Sequence, residues 1–404
     1  MAYEETGRDR WAEPPAGVPA AVLENVFDDP THGEPGRDRI GVHVVWEILL
    51  LAGVAALGWL LWQADPAALR GAGLNTLLVD AVGLGLLALA AGLSLRTAAA
   101  NLAVGPVAVA AALHYAERGD QGLRDSVGPA VAVAALGGLA LALAVVVLHV
   151  PGWAASLAGA AGVVVFIERR SAPVLVQGDY EPGRTAGYLF AGFAAVAVLG
   201  GLFGAIRAVR RLVGRYRPIV DPARRRGAVA AVVTGAAVVG STVLAALAGV
   251  LLAANGPGSV IPTTGLEWTV LAIGVALLGG TSAFGRRGGV FGALLAVGLV
   301  TTFQAYARAR GWTVDTWTIG GVALGVGLLV TRLVETFGRP RPGSTERPEP
   351  VGDGTISRGW SVPVPQPVDT WSPELPTTPA PQQVDPWRDP RWDDSPRRWD
   401  ADDR

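Results

Sequence analysis

Ionisable side chains are scarce in the apolar part of this sequence, and one carboxylate is placed differently from the others. Asp80 lies well inside an apolar run, whereas the nearest comparable carboxylates lie towards the ends of such runs: Glu47, Glu267 and Glu335. A carboxylate within a membrane is costly and marks either a functional site or a buried hydrogen bond between helices. Both interpretations of Asp80 are open. We find no pair of carboxylates typical of a proton relay and no Ser-His-Asp grouping, which weakens the case for a membrane enzyme or an ion-driven carrier.

Two residue types are missing from the sequence, and each absence excludes a kind of chemistry. There is no cysteine, so disulfides and thiolate metal sites are excluded, and the four histidines have no metal-ligand spacing. All 33 basic residues are arginine. A nucleotide-binding P-loop needs a lysine to reach the phosphates. The chain is therefore predicted to be no ATPase itself and to bind no cofactor or metal of its own.

Composition indicates an integral membrane protein. Of the 404 residues 50% are hydrophobic and 17% are charged, whereas soluble domains carry about 25% charged residues. The apolar runs between about residues 42 and 337 are apolar on every face, which indicates burial in lipid or in a helix bundle. We predict an all-α, polytopic, multi-pass protein of the cell membrane, with the lipid bilayer as its surroundings and no nucleic acid as a partner.

The chain divides into three parts. Residues 1–41 are predicted to be a disordered cytoplasmic tail, 42–337 the transmembrane domain, and 338–404 a disordered cytoplasmic tail rich in Pro, Trp and Asp. The first apolar run starts after about forty polar residues, so we expect an uncleaved first span. The fifth of about ten predicted spans is short, about 24 Å long at about 1.5 Å per residue, and is expected to be a broken or half helix. The spans are predicted at about 42–63, 74–95, 98–116, 127–149, 152–167, 186–206, 228–253, 267–281, 288–306 and 317–337.

Arginine counts in the short loops predict the orientation. The segment 207–227 contains eight arginines and the segment 254–266 contains none. Because arginine is enriched in cytoplasmic loops, the first segment is predicted to be inside, which puts both termini in the cytoplasm. Arg169, Arg170, Arg308 and Arg310 then fall outside, but the contrast across one helix outweighs them.

Two short segments interrupt the apolar runs, one in each half of the chain. In the segment 101–106, Gly105 and Pro106 are expected to break or kink the third helix. The segment 279–285 contains two consecutive glycines. Paired interruptions of this kind indicate a transport pathway, and an ordinary surface loop is the alternative for the second one. The predicted pathway residues are Asn101, Gly105, Pro106, Gly279, Gly280 and Thr281.

The same segments carry a family resemblance. Residues 99–106 and 151–158 align in order with two motifs of a permease family, and 244–249, 278–285 and 287–295 match its second half more specifically. Over about residues 42–337 the chain resembles the permease subunit of an ATP-binding cassette importer. The branch it resembles serves ribose-type and other simple sugars, nucleosides and branched-chain amino acids. Asn101 stands where sugar-type members have aspartate, and resembles nucleoside-type members at this position.

The resemblance implies a set of partners and a function. The partners are a separate ATPase subunit that binds the ATP, a second permease chain in a homo- or heterodimer, and an extracellular solute-binding protein. The function is translocation of a small polar solute, with a simple sugar or nucleoside favoured and a branched-chain amino acid as an alternative. A membrane scaffold or a paralogue without transport activity is the other alternative. The segment that couples to the ATPase would contain Arg215, Arg217, Asp221, Arg224, Arg225 and Arg226.

Overall fold

A computed structural model describes residues 40–205, 228–282 and 291–337. Apart from residues 40 and 41, both predicted tails lie outside these ranges. Within the described residues the chain forms ten α-helices, and three of the described connections between them contain a 3₁₀ turn. The helices are α1 Ile40–Ala64, α2 Gly71–Arg96, α3 Val104–Arg118, α4 Leu123–Val146, α5 Gly152–Ile167, α6 Ala186–Ala205, α7 Ala228–Ala254, α8 Leu266–Leu278, α9 Gly292–Ala309 and α10 Thr316–Phe337.

Six of these helices, α1, α2, α4, α6, α7 and α10, are long and apolar enough to cross a membrane. Their outward faces carry large exposed aliphatic side chains, such as Val133, Leu136 and Leu199. Exposed apolar surface on this scale indicates contact with lipid. The chain is therefore a helical protein of the membrane type. The helices α3, α5 and α8 are shorter, at 15, 16 and 13 residues. The count of ten spans and the orientation stay predictions.

Helices α2 and α7 form the centre of the bundle. In each, 61% of the most apolar stretch is buried, against 11% in α1. The two helices run antiparallel, since Asp80 bonds to Asn255 and the Cβ position of Gly83 lies 2.6 Å from Leu252. Around this pair, α4 packs on α7, α6 on α2, α10 on α8, and α1 on α9. Of the six long apolar helices, α2 and α7 are therefore shielded most from lipid, and the short helix α3 packs against both of them, whereas the short helix α8 packs against α2.

The third helix begins later than the sequence predicts. The predicted span of 98–116 is wrong at its start, because residues 98–103 are not helical and α3 starts at Val104. The sequence predicts a break or a kink at Gly105 and Pro106. The interruption lies just before them, at residues 98–103, and the two residues occupy the first turn of α3. Proline is tolerated there because the N–H groups of a first turn have no partner within the helix.

Two short strands form a small sheet, which is the one sheet in the described residues. Strands β1 (Val174–Leu175) and β2 (Ser259–Val260) pair antiparallel, with Val174 opposite Val260. The first strand belongs to the connection between α5 and α6, and the second to the connection between α7 and α8. The sheet thus ties the end of the first five helices to the second five.

Candidate functional site

The non-helical segment before α3 is buried, and its polar groups are bonded. Asn101 is 2% exposed. Its N–H donates to Ser94 Oγ at 3.2 Å, and its side-chain amide donates to Ser241 Oγ at 3.0 Å. Its Oδ1 accepts from the N–H of Ala103 at 3.0 Å. Asn101 thus joins the end of α2 to the middle of α7.

Two more hydroxyl groups hold the following residues. Ser156 Oγ of α5 accepts from the N–H of Leu102 and donates to the carbonyl of Ala100, each at 3.0 Å. Thr269 Oγ1 of α8 accepts from the N–H of Gly105 at 3.0 Å and donates to the carbonyl of Leu102 at 3.1 Å. Irregular backbone is tolerated inside a membrane protein where protein groups satisfy it, and here hydroxyls from α2, α5, α7 and α8 contribute to this.

Helices α3 and α8 begin side by side inside the bundle. The Cβ position of Gly105 lies 1.8 Å from the carbonyl oxygen of Gly265, and Gly265 has a φ of +74°. A side chain at residue 105 would overlap that carbonyl, and glycine adopts the positive φ at residue 265 without strain. Glycine is therefore required at both positions, at residue 105 by the close backbone approach and at residue 265 by the positive φ.

Helices α3 and α8 end on opposite sides of the bundle. Near the end of α3, the carbonyl of Ala116 accepts from the N–H of Gln177, beside the small sheet. At the end of α8, the carbonyl of Leu278 accepts from the indole N–H of Trp46, near the start of α1, at 2.8 Å. The two helices thus extend in opposite directions from a common starting point inside the bundle.

Gly279, Gly280 and Thr281 lie at the other end of α8. Gly280 has a φ of +84°, and the N–H of Thr281 donates to the carbonyl of Ala276 at 3.0 Å. This is a glycine-based helix terminus. Gly279 is about 15 Å along α8 from Thr269 at about 1.5 Å per residue. Thr281 Oγ1 lies 3.7 Å from the Cβ position of Gly92 in α2, two residues from the Ser94 that bonds to Asn101. Thr281 and Asn101 therefore both lie near the end of α2, and the role of the predicted residues as a pathway stays a prediction.

Asp80 accepts hydrogen bonds from two other helices. Its Oδ1 accepts from the side-chain amide of Asn255 at the end of α7 at 2.7 Å. Its Oδ2 accepts from Nη2 of Arg308 in α9 at 3.1 Å. Asp80 therefore does form hydrogen bonds between helices, which is one of the two interpretations that the sequence left open. The other, a functional site, depends on what surrounds Asp80.

Asp80 and Arg308 line a cavity of about 240 Å³. Ligand pockets for drug-sized molecules usually measure about 300–1,000 Å³, so this cavity suits a small solute. Polar and aromatic groups share its walls with aliphatic side chains. The lining consists of Asp80, Leu84, Leu252, Trp268, Leu271, Gln304, Ala307, Arg308, Trp312, Val314, Thr316 and Ile319.

The sequence analysis does not identify Asn255 and Arg308 as the partners of Asp80. Arg308 stands four residues after Gln304, another residue of the cavity lining, on one face of α9, which is otherwise largely apolar. This spacing could have identified a polar stripe that faces the bundle. Asn255 gives a weaker signal, because an amide at the end of a span is commonly a loop residue.

Away from the cavity, a second ion pair joins α3 to the residues after α5. Arg170 donates from Nε and Nη2 to the two carboxylate oxygens of Glu117, at 2.5 and 2.8 Å. This bidentate contact lowers the pKa of Glu117. No group of three or more metal-ligating side chains occurs among the described residues.

The predicted coupling residues lie outside the described residues. Arg215, Arg217, Asp221, Arg224, Arg225 and Arg226 belong to the segment 206–227, between α6 and α7. Their contact with an ATPase stays a prediction.

No protein-family profile, curated protein or solved structure matches the chain. The resemblance to importer permeases stays a prediction, and the functional argument depends on the site itself.

Proposed function

We propose that this chain is the permease subunit of an ATP-binding cassette importer that carries a small polar solute across the cell membrane. The solute is a simple sugar or a nucleoside, delivered by an extracellular binding protein. The observation that carries the proposal is the cavity around Asp80 and Arg308, which brings an acid, a base and the amide of Gln304 together among apolar and aromatic walls. A lipid-embedded scaffold has no need of such a cavity, because ionisable residues within membrane-spanning helices are rare and usually mark a functional site.

The position of the cavity supports an entry site for solute. Helix α7 begins next to the arginine-rich segment 207–227, and Leu252 near its other end lines the cavity. The 24 steps from Ala228 to Leu252 correspond to about 36 Å at about 1.5 Å per residue. If the arginine-rich segment is cytoplasmic, the cavity opens towards the outside, where a binding protein would release its cargo.

Energy for transport would come from a separate ATPase. The absence of lysine leaves no standard P-loop in this chain. The test is to reconstitute the chain with each candidate ATPase subunit and solute-binding protein of the same genome. We expect solute-loaded binding protein to stimulate ATP hydrolysis. Absence of stimulation with every candidate partner would contradict the proposal.

The arginine-rich segment supplies a second test. Replacing Arg224, Arg225 and Arg226 together by glutamine should abolish uptake while membrane insertion is kept, because the docking contact with the ATPase would be lost. The matched control replaces Arg207, Arg210 and Arg211, which carry the same charge but lie outside the predicted coupling segment. Loss of insertion in the first variant would show that its arginines only anchor the topology.

A further inference from the structure

The charges that line the cavity cancel. Asp80 and Arg308 are the two charged residues among its described lining, and Asn255 provides a further hydrogen bond to Asp80. A solute with a net charge would therefore meet no uncompensated opposite charge in the lining. The walls thus disfavour anions and cations alike, in contrast to sites for phosphate or ammonium, which present one sign of charge.

The ion pair is open to exchange with a solute. Arg308 is 61% exposed and Asp80 is 23% exposed, and one contact of 3.1 Å joins them. Exposed pairs of this kind contribute little stability. Among the described residues, Nη2 is the one guanidinium nitrogen of Arg308 that bonds to protein, so the other N–H groups can donate to a solute. Asp80 lies beside it as an acceptor.

Three further residues of the lining, Gln304, Trp268 and Trp312, can donate hydrogen bonds to a solute. The side-chain amide of Gln304 and the indole N–H groups of Trp268 and Trp312 make no hydrogen bond within the described part of the chain. Indole rings also provide large flat surfaces for the apolar side of a small molecule. The cavity thus combines adjacent donors and an acceptor with an apolar wall.

We propose that this cavity is a solute-binding site of the bundle itself, selective for a net-neutral polar solute that presents an adjacent donor and acceptor. Both a neutral polyol and a zwitterion have this chemistry. This proposal rests on the proposed function only where it treats the cavity as the entry site for transported solute. Binding needs neither ATPase nor binding protein, so it can be tested on the chain alone.

The absence of cysteine makes a direct test feasible, since a single introduced thiol reports on its own surroundings. Gln304→Cys places the thiol in the cavity, and Ser171→Cys is an exposed reference. Reaction rates are compared for cationic trimethylammonioethyl and anionic sulfonatoethyl methanethiosulfonate on the purified chain. We expect the cation-to-anion ratio at residue 304 to equal that at residue 171 within about threefold. If Gln304→Cys does not fold, Thr316→Cys, at another residue of the lining, replaces it.

Removing one charge should then shift that ratio in a defined direction. Asp80→Asn leaves a positive lining and should favour the anionic reagent by about three- to tenfold, and Arg308→Gln should favour the cationic reagent equally. Asp179→Asn and Arg310→Gln, exposed residues outside the cavity lining, serve as matched controls. A strong charge preference in the native cavity, or no shift in either variant, would overturn the proposal.

Protection from labelling identifies the solute chemistry. D-ribose, L-serine, D-gluconate and D-glucosamine are compared at millimolar concentration for their ability to slow labelling of Gln304→Cys. Protection by ribose indicates a neutral polyol and protection by serine indicates a zwitterion, and both support the site. Protection by gluconate or glucosamine alone, or by none of the four, overturns it. A selective site combined with absent ATPase stimulation would reject the importer and keep the site.

Discussion

The side chain of Thr269 joins the beginnings of helices α3 and α8. Its hydroxyl satisfies the N–H of Gly105 and the carbonyl of Leu102, which have no partner in regular structure at this point. A buried polar group that loses its partner costs about 1–3 kcal/mol. The sequence could not have identified this role, since hydroxyl residues are common in apolar helices and usually bond within their own helix.

We expect Thr269→Val to lower the thermal unfolding midpoint of the purified protein, because valine has the same shape but leaves two buried backbone groups unpaired. Thr269→Ser keeps the hydroxyl and is the matched control. It should lose less than half as much stability. Equal losses in both variants would show that packing of the methyl group, and not the hydrogen bonds, stabilises this junction.

The pair Glu117–Arg170 predicts a pH dependence of stability. Arg170 lowers the pKa of Glu117 in the folded protein, so the pair stabilises the fold above the ordinary carboxylate pKa of about 4.3. That contribution is lost as the pH falls below this value, through the lowered pKa. Glu117→Gln should reduce stability at neutral pH by about 0.5–1 kcal/mol and weaken the decline below pH 5. The measurement is unfolding in detergent as a function of pH.

The exposed pair Glu181–Arg184 is the control for this prediction. Its side chains are 63% and 79% exposed, so Glu181→Gln should change stability by less than about 0.5 kcal/mol. Similar pH profiles for both variants would contradict the special position of Glu117.

Gly105 decides how closely helices α3 and α8 approach each other. In Gly105→Ala the new methyl group would lie 1.8 Å from the carbonyl oxygen of Gly265, which is backbone and cannot rotate away. Overpacking of a tight contact costs about 1–3 kcal/mol. We expect α3 and α8 to separate, with a lower unfolding temperature and reduced expression in the membrane.

Gly200→Ala is the matched control for that substitution. Gly200 lies in α6, and nothing lies within 4 Å of its Cβ position. Alanine there should be neutral or stabilising by about 0.5–1 kcal/mol, because it favours the helix. A similar loss in both variants would mean that general sensitivity to glycine replacement, and not the junction, causes the effect.

The sequence identifies the existence of helices better than their beginnings. The helix from Ala228 to Ala254 matches the predicted span at 228–253, because its apolar residues are continuous. The start of α3 was misplaced, since residues 98–103 are also mostly apolar and composition cannot distinguish helix from buried irregular backbone. That distinction depends on Ser156 and Thr269, which are distant in sequence.

The orientation of the whole molecule can be tested with single cysteines. Ser171 lies between α5 and α6, and Arg217 lies in the arginine-rich segment between α6 and α7. In intact cells, a membrane-impermeant maleimide should label Ser171→Cys, and should label Arg217→Cys only after permeabilisation, because one crossing of α6 separates them. The reverse pattern would invert the orientation and put the cavity on the cytoplasmic side.

The small sheet also constrains how the two sets of five helices could move. It joins them through strand pairs such as Val174 with Val260, and its neighbour Gln177 is bonded to the end of α3. The strands are one of several contacts between the two sets, since α7 also packs against α2 and α4. Any movement of one set against the other would therefore have to slide α7 along α2 and α4 as well as break the strand pairing at Val174 and Val260.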